Sequence, residues 1–103
     1  MPRFIIKLDG EIGERYLEWS TIVDRPVTYG MPLEEFKEYY RDEYGKQGMW
    51  NLDERMKRVE SKGTSELDDD LDGTLKHNRA GPDETFLTKE EIYQIYCVDR
   101  PQS

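Results

Sequence analysis

The β part of the expected fold is set by residues 3–23, which read RFIIKLDGEIGERYLEWSTIV. Two apolar runs, rich in β-branched and aromatic residues, stand on either side of an Asp-Gly dipeptide at 9–10, which is typical of tight turns. Because side chains alternate along a strand, Phe4, Ile6 and Leu8 would share one face. The segment therefore predicts an antiparallel hairpin.

The period of the apolar residues changes after residue 30. Residues 24–26, Asp-Arg-Pro, indicate a turn, and 27–29 form a candidate third strand. Pro32 suits the first turn of a helix, and the apolar positions that follow recur at helical spacing. These positions are Leu33, Phe36, Tyr40 and Tyr44. They predict a helix over 32–44, which ends at Gly45.

Two more helices carry capping signals. Asn51, with Glu54 three residues later, resembles a capping box and predicts a helix that Gly63 ends. The short link before it, at 46–50, holds Met49 and Trp50, which we expect to cover the core between the two helices. Thr88 and Glu91 form a complete capping box, which predicts a last helix over 88–97.

The length of 103 residues fits one domain. We expect residues 1–103 to form a single small α+β domain. A small antiparallel β-hairpin or three-stranded sheet would occupy residues 1–30, and three to four short helices would pack on it from residues 31–103.

The charge excludes some partners. Twenty-three Asp and Glu against fifteen Lys and Arg give a net charge of −8. This opposes direct binding to a nucleic-acid backbone or to anionic lipid, because both rely on cationic side chains. No apolar run approaches the roughly 20 residues of a membrane span. Direct nucleic-acid binding and membrane insertion are therefore not expected.

The cysteine count and the N-terminus suggest a compartment. Cys97 is the single cysteine, so an internal disulfide is impossible, and a reducing environment is its natural setting. The first residues, MPRFIIKLDGE, lack the apolar core and cleavage site of a signal peptide. We expect a cytoplasmic protein.

An acidic segment at residues 66–73, ELDDDLDG, matches the opening half of a calcium-binding loop. The second half does not match. Counted from Asp68, the ninth position is Lys76 and the twelfth, normally a bidentate glutamate, is Arg79. Two cations at ligand positions argue against calcium, and no metal site is predicted.

A solvated helix face explains the same segment better. Thr64 or Ser65 would cap a helix at 65–76, whose apolar side carries Leu67, Leu71 and Leu75. Carboxylates in its first turn would complement the helix dipole.

Catalytic motifs are absent from the sequence. It holds one His and one Cys, which does not suit a zinc site, and it lacks the glycine-rich phosphate-binding patterns. His77 at a helix end and a buried Cys97 need no catalytic role. We predict no enzyme and no cofactor, while magnesium binding by carboxylates alone and acid–base chemistry by two carboxylates stay open.

Aromatic residues offer a binding hypothesis. Tyr39, Tyr40, Tyr44 and Trp50 lie within twelve residues, and not all can face one small core. Tyr and Trp are enriched at interface hot spots, and Tyr39 lies off the apolar stripe, which makes it the expected exposed anchor. The alternative is an aromatic core with hydroxyls at its edge. The candidate partner-binding residues, including the acidic segment, are Tyr39, Tyr44, Trp50, Glu66, Asp68, Asp69, Asp70 and Asp72.

Two long runs carry a family resemblance. RYLEWSTIVDRPVTYGMPLEEFKEYYRDEYG (15–45) and RVESKGTSELDDDLDGTLKHNRAGPDE (58–84) resemble small uncharacterised proteins encoded by tailed bacteriophages that infect actinobacteria. The resemblance implies an accessory protein made inside a bacterium, and such proteins often bind a host protein. It assigns no functional residue.

The sequence leaves four function hypotheses. The first is a non-enzymatic, acidic phage-type accessory protein that binds a host protein in the cytoplasm, for instance one with a basic surface. The second is an acidic nucleic-acid mimic that occupies a basic binding site, although residues 51–103 mix thirteen acids with eight bases. The third is a self-assembling structural or virion-associated protein, and the fourth is a metal-dependent enzyme or calcium switch. The oligomeric state is left open.

Overall fold

The chain has an α+β fold, as its sequence predicts. The computed structural model describes residues 3–99, so residues 1–2 and 100–103 of the expected domain lie outside the described part. A three-stranded antiparallel sheet has the order β1-β2-β3. The strands are β1 (Arg3–Leu8), β2 (Arg15–Ser20) and β3 (Arg25–Pro26); the helices are α1 (Leu33–Lys62), α2 (Leu71–Leu75) and α3 (Lys89–Tyr93).

The hairpin of β1 and β2 is confirmed, and its register places Ile5 opposite Glu18. The third strand lies two residues earlier than the predicted 27–29. Asp24 adopts a positive φ of 54° in the turn after β2, so the chain reverses at once and Arg25 already pairs with Ser20. The prediction of a turn at 24–26 is therefore wrong for residues 25 and 26, which form β3.

Both faces of the sheet are buried, and each face has its own core. On one face, Ile6 and Leu8 join a cluster that contains residues of the C-terminal third. On the other face, Ile5 and Tyr16 pack against α1. The sheet is thus a middle layer, with α1 on one side and the segment from α2 to α3 on the other. Phe4, predicted on the face of Ile6, is only half-buried.

Helix α1 is bent in the middle. Gly45 has φ 66° and ψ −158°, outside the helical region, while the residues before and after it are helical. The predicted stop at Gly45 is therefore a kink. The predicted link at 46–50 and helix start at Asn51 are wrong, because only one residue leaves the helical geometry before the helix resumes. Its end before Gly63 is confirmed.

The acidic helix is shorter than predicted. It spans only Leu71–Leu75, and Asp70 is its N-cap, whose Oδ1 accepts the Gly73 N–H at 2.9 Å. Ser65 does not cap a helix, because it is bound to β1: its N–H donates to the Ile5 carbonyl and its Oγ accepts the Ile5 N–H, both at 2.8 Å. Leu67, predicted on the apolar side, is exposed.

The capping box of the last helix is confirmed. The Thr88 side chain accepts the Glu91 N–H, and the Glu91 side chain accepts the Thr88 N–H. Only Lys89–Tyr93 are α-helical, and a π-helical turn continues through Gln94–Val98.

Candidate functional site

Two of the candidate tyrosines meet at a buried carboxylate. Glu18 is 1% exposed. The Tyr44 hydroxyl donates to its Oε2 at 2.7 Å, and the Tyr39 hydroxyl donates to its Oε1. Arg3 lies at the edge of this group, with Nη1 3.2 Å from the Tyr44 hydroxyl oxygen and 3.7 Å from Glu18 Oε1. We call these four residues the Glu18 cluster.

The position of Glu18 in the sheet explains the cluster. Glu18 lies in the middle of β2, on the face that α1 covers, whereas its neighbours Leu17 and Trp19 face the other core. A carboxylate taken out of water needs hydrogen-bond donors. Tyr39 is consequently half-buried and bonded inward, so its predicted role as an exposed anchor is wrong.

The electrostatics keep the two tyrosines as donors. Burial, and then the hydrogen bond to Glu18, raise the pKa of the Tyr39 and Tyr44 hydroxyls. Both therefore stay protonated at neutral pH and supply hydrogen bonds to the carboxylate. The cluster is suited to holding α1 on the sheet, because both Glu18 oxygens already accept hydrogen bonds.

The sequence did not identify Glu18 and Arg3 as site residues. In a strand whose polar and apolar residues alternate, an acidic residue normally faces water. A signal was present: several neighbouring tyrosines have hydroxyls that need partners when buried.

Trp50 is placed differently from the tyrosines. It lies in α1 after the kink and is 84% exposed, whereas Trp19 is 1% exposed. Leu52 faces the core, and side chains two residues apart on an α-helix point about 200° apart. Trp50 therefore faces solvent, and the expectation that it covers the core is wrong. Its indole leaves a large apolar surface in contact with water.

The carboxylates of the acidic segment are exposed, apart from that of the half-buried Glu66. Three of them serve the local structure. Glu66 Oε2 accepts a hydrogen bond from the Thr74 hydroxyl at 2.8 Å, Asp69 Oδ1 accepts the Asp70 N–H at 2.9 Å, and Asp70 caps α2. The exposed acids are Asp68, Asp69, Asp70 and Asp72.

The predicted site residues fall in three places rather than one surface. Tyr39 and Tyr44 belong to the Glu18 cluster, and Trp50 lies on the outer side of α1. The acidic segment approaches α1 further along, where a cavity of about 280 Å³ is lined by residues that include Glu66, Asp68, Arg55 and Arg58.

Residues considered for metal or catalytic chemistry are scattered. His77 is exposed and Cys97 is buried. Within residues 3–99, no three or more His, Cys, Asp or Glu side chains are grouped so that they could hold a metal ion. No helix in this range is long and apolar enough to cross a membrane.

Comparisons with known proteins did not relate this chain to a family, a curated protein or a solved structure. A scan against protein-family models, a search of curated proteins and a search of solved structures each found no match.

Proposed function

We propose that this chain is a non-enzymatic accessory protein that binds another protein in the cytoplasm through the outer side of α1, centred on Trp50. The observation that carries the proposal is the 84% exposure of that indole. Trp is among the side chains most enriched at binding hot spots, and covering it with a partner removes a large apolar area from water. The bacteriophage resemblance of the sequence supports a host protein as the partner.

The surroundings of Trp50 fit an interface. Lys46, Asp53 and Glu54 lie three or four residues away along α1 and are exposed, so they neighbour Trp50 on the helix surface. An apolar centre with a charged rim is the usual anatomy of a protein interface. The two carboxylates favour a partner with basic residues at the matching positions.

Affinity capture with two matched variants tests this proposal. Tagged wild-type protein, Trp50→Ala and Phe86→Ala are incubated with actinobacterial lysate at low and high salt, and retained proteins are identified by mass spectrometry. Phe86 is also an exposed aromatic residue, but it lies outside α1 and next to Leu87 of the other core.

We expect one protein to be retained at both salts by the wild type and by Phe86→Ala. Trp50→Ala should lose it, because truncating a hot-spot residue costs about 2 kcal/mol or more. Equal retention by Trp50→Ala would contradict the proposal.

A second candidate function is nucleic-acid mimicry by the acidic segment. Residues 66–72 contain five carboxylates and no Lys or Arg, and four of the carboxylates are exposed. Such a surface would occupy a basic groove, and its binding would fall steeply as salt rises.

The test is a variant in which Asp68, Asp69, Asp70 and Asp72 are all changed to Asn. Asn is as good an N-cap as Asp, so α2 should persist. Mimicry requires that this variant lose the partner while Trp50→Ala keeps it.

A further inference from the structure

A cavity of about 270 Å³, lined by polar and aromatic side chains, opens beside the Glu18 cluster, between α1 and the sheet. Its α1 wall crosses the kink, and that wall supplies all the lining side chains whose polar groups form no hydrogen bond within residues 3–99. They are Tyr40, Gln47, Asn51 and Arg55. Trp50 does not line the cavity, although Gln47 lies three residues from Trp50 and so borders both the cavity and the outer side of α1.

Tyr40 is the first sign of a binding site. Its side chain is 3% exposed, and its hydroxyl forms no hydrogen bond with any side chain or backbone group in residues 3–99. The hydroxyl oxygen is not among the fully buried, unpartnered atoms of these residues, so solvent reaches it from the cavity that Tyr40 lines. A ligand bound in the cavity would replace that solvent and accept the hydrogen bond of the hydroxyl.

Arg55 is the second sign. It is half-buried, and within residues 3–99 no carboxylate oxygen lies within 4.0 Å of its guanidinium and no acceptor is bonded to it. Burial raises the pKa of Tyr40, and the charge of Arg55 acts against that rise, which places the guanidinium close enough to influence the hydroxyl.

Glu18 also lines this cavity and keeps its negative charge, because hydrogen bonds from two protonated tyrosines do not neutralise a carboxylate. Arg3, whose Nη1 lies 3.7 Å from Glu18 Oε1, offsets that charge, so the charge of Arg55 remains. Within residues 3–99, the lining groups without a hydrogen bond that can donate one are the Arg55 guanidinium, the Tyr40 hydroxyl and the amide nitrogens of Gln47 and Asn51.

Gly48 leaves room in the α1 wall of the cavity for the side chains of Tyr40 and Tyr44. A Cβ at residue 48 would lie 2.3 Å from Tyr44 Cβ and 3.2 Å from Tyr40 Cε2, so any larger residue would displace the two rings that border the cavity.

We propose that this cavity binds a small-molecule oxyanion, through a carboxylate or a phosphate group. The planar guanidinium of Arg55 would hold two oxygens side by side, which is the geometry that makes arginine suited to both groups. The Tyr40 hydroxyl and the Asn51 amide would donate to the remaining oxygens. A volume of about 270 Å³ accommodates a small metabolite.

Isothermal titration calorimetry with two probes tests the proposal. Wild-type protein is titrated with inorganic phosphate and, separately, with succinate, at constant ionic strength set by sodium chloride. The variants are Arg55→Gln and Tyr40→Phe. Lys57→Gln is the matched control, because it removes one positive charge from an exposed position on the same helix.

We expect saturable millimolar or tighter binding of at least one probe by the wild type and by Lys57→Gln. Arg55→Gln should weaken it about tenfold, or about 1.4 kcal/mol. Tyr40→Phe, which keeps the ring in the core, should weaken it about threefold. Binding of succinate alone identifies a carboxylate ligand, and binding of phosphate alone identifies a phosphate ligand.

The proposal is overturned if neither probe binds the wild type, or if Arg55→Gln and Lys57→Gln weaken binding equally, since the latter would indicate a general charge effect. Should Arg55→Gln fail to fold by circular dichroism, the decision rests on Tyr40→Phe and on the Asn51 side-chain amide signal in NMR. That signal must shift on titration if the cavity is the site.

Discussion

At the scale of single residues, Glu18 has the largest structural consequence. Its place in an alternating strand gives no hint of burial, yet it is almost completely covered and bonded to Tyr39 and Tyr44. The sequence did indicate that the neighbouring tyrosines could not all face one core. It did not indicate which acid would accept their hydroxyls, because that contact joins residues more than twenty positions apart.

Removing one hydroxyl from the Glu18 cluster should destabilise the fold. Tyr39→Phe and Tyr44→Phe each take one donor from a buried carboxylate, and we expect a loss of about 1–3 kcal/mol in the free energy of unfolding. Tyr29→Phe is the control, because Tyr29 is exposed and its hydroxyl has no hydrogen bond within residues 3–99. It should change stability by less than about 0.5 kcal/mol. Urea denaturation at neutral pH measures all three, and equal losses would contradict the buried network.

The raised pKa of Tyr39 predicts that the folded protein loses stability at alkaline pH. In the unfolded chain Tyr39 titrates near its ordinary pKa of 10.0, and in the folded chain that pKa is raised. Above about pH 10 the unfolded state therefore binds fewer protons than the folded state, so stability falls as pH rises and is fully retained below that pH. The urea midpoint, measured from about pH 8 to about pH 11, should fall less steeply with pH for Tyr39→Phe than for the wild type. A slope identical to that of the wild type would contradict the assignment.

At the scale of elements, local signals located most segments but not their ends. The hairpin strands and the capping box at Thr88 follow from nearby residues alone, and both are confirmed. The effect of Gly45 and the start of the acidic helix were misjudged. For the acidic helix, the reason is a contact with a residue far away in the sequence. Ser65 is bound to β1, so it cannot cap a helix, and Asp70 takes that role five residues later.

The sign of one glycine substitution tests the kink in α1. With φ 66° and ψ −158°, Gly45 lies in a region that only glycine adopts readily, and nothing within 4 Å would touch an added Cβ. Gly45→Ala should therefore destabilise by about 1–3 kcal/mol through backbone strain alone. If α1 were a continuous helix, the same change would stabilise by about 0.5–1 kcal/mol. Chemical denaturation distinguishes the two signs.

The role of Asp70 as the N-cap of α2 predicts that Asp70 and Asp68 respond differently to the same substitution. Asp70→Ala removes the acceptor for the Gly73 N–H and should cost about 1 kcal/mol. Asp68→Ala, two residues earlier and exposed, should be close to neutral. Thermal unfolding of both variants, with and without millimolar calcium, measures the difference. Equal effects, or a calcium-dependent rise in melting temperature, would contradict the role of Asp70 as a cap in a segment without calcium.

At the scale of the whole molecule, the α+β class was predictable and the layering was not. The spacing of apolar residues identifies the strands and helices. It does not show that β2 is buried on both sides. With Leu17 and Trp19 on one side and Tyr16 and Glu18 on the other, its sequence is typical of a strand with one side in water. The structure covers both sides, with one core against α1 and the other against the C-terminal third. Large apolar side chains such as Ile22 and Leu67 remain exposed outside these two cores, and Trp50 is more exposed than either.

The most direct test of the proposed function follows Trp50 itself. Trp19→Phe leaves Trp50 as the single tryptophan, after circular dichroism has verified that the variant folds. In the free protein we expect the emission of a hydrated indole and full access to an added quencher, and on titration with the captured partner we expect a blue shift and a loss of quenching. An unchanged spectrum, while calorimetry shows that the partner binds, would place the interface elsewhere and contradict the proposal.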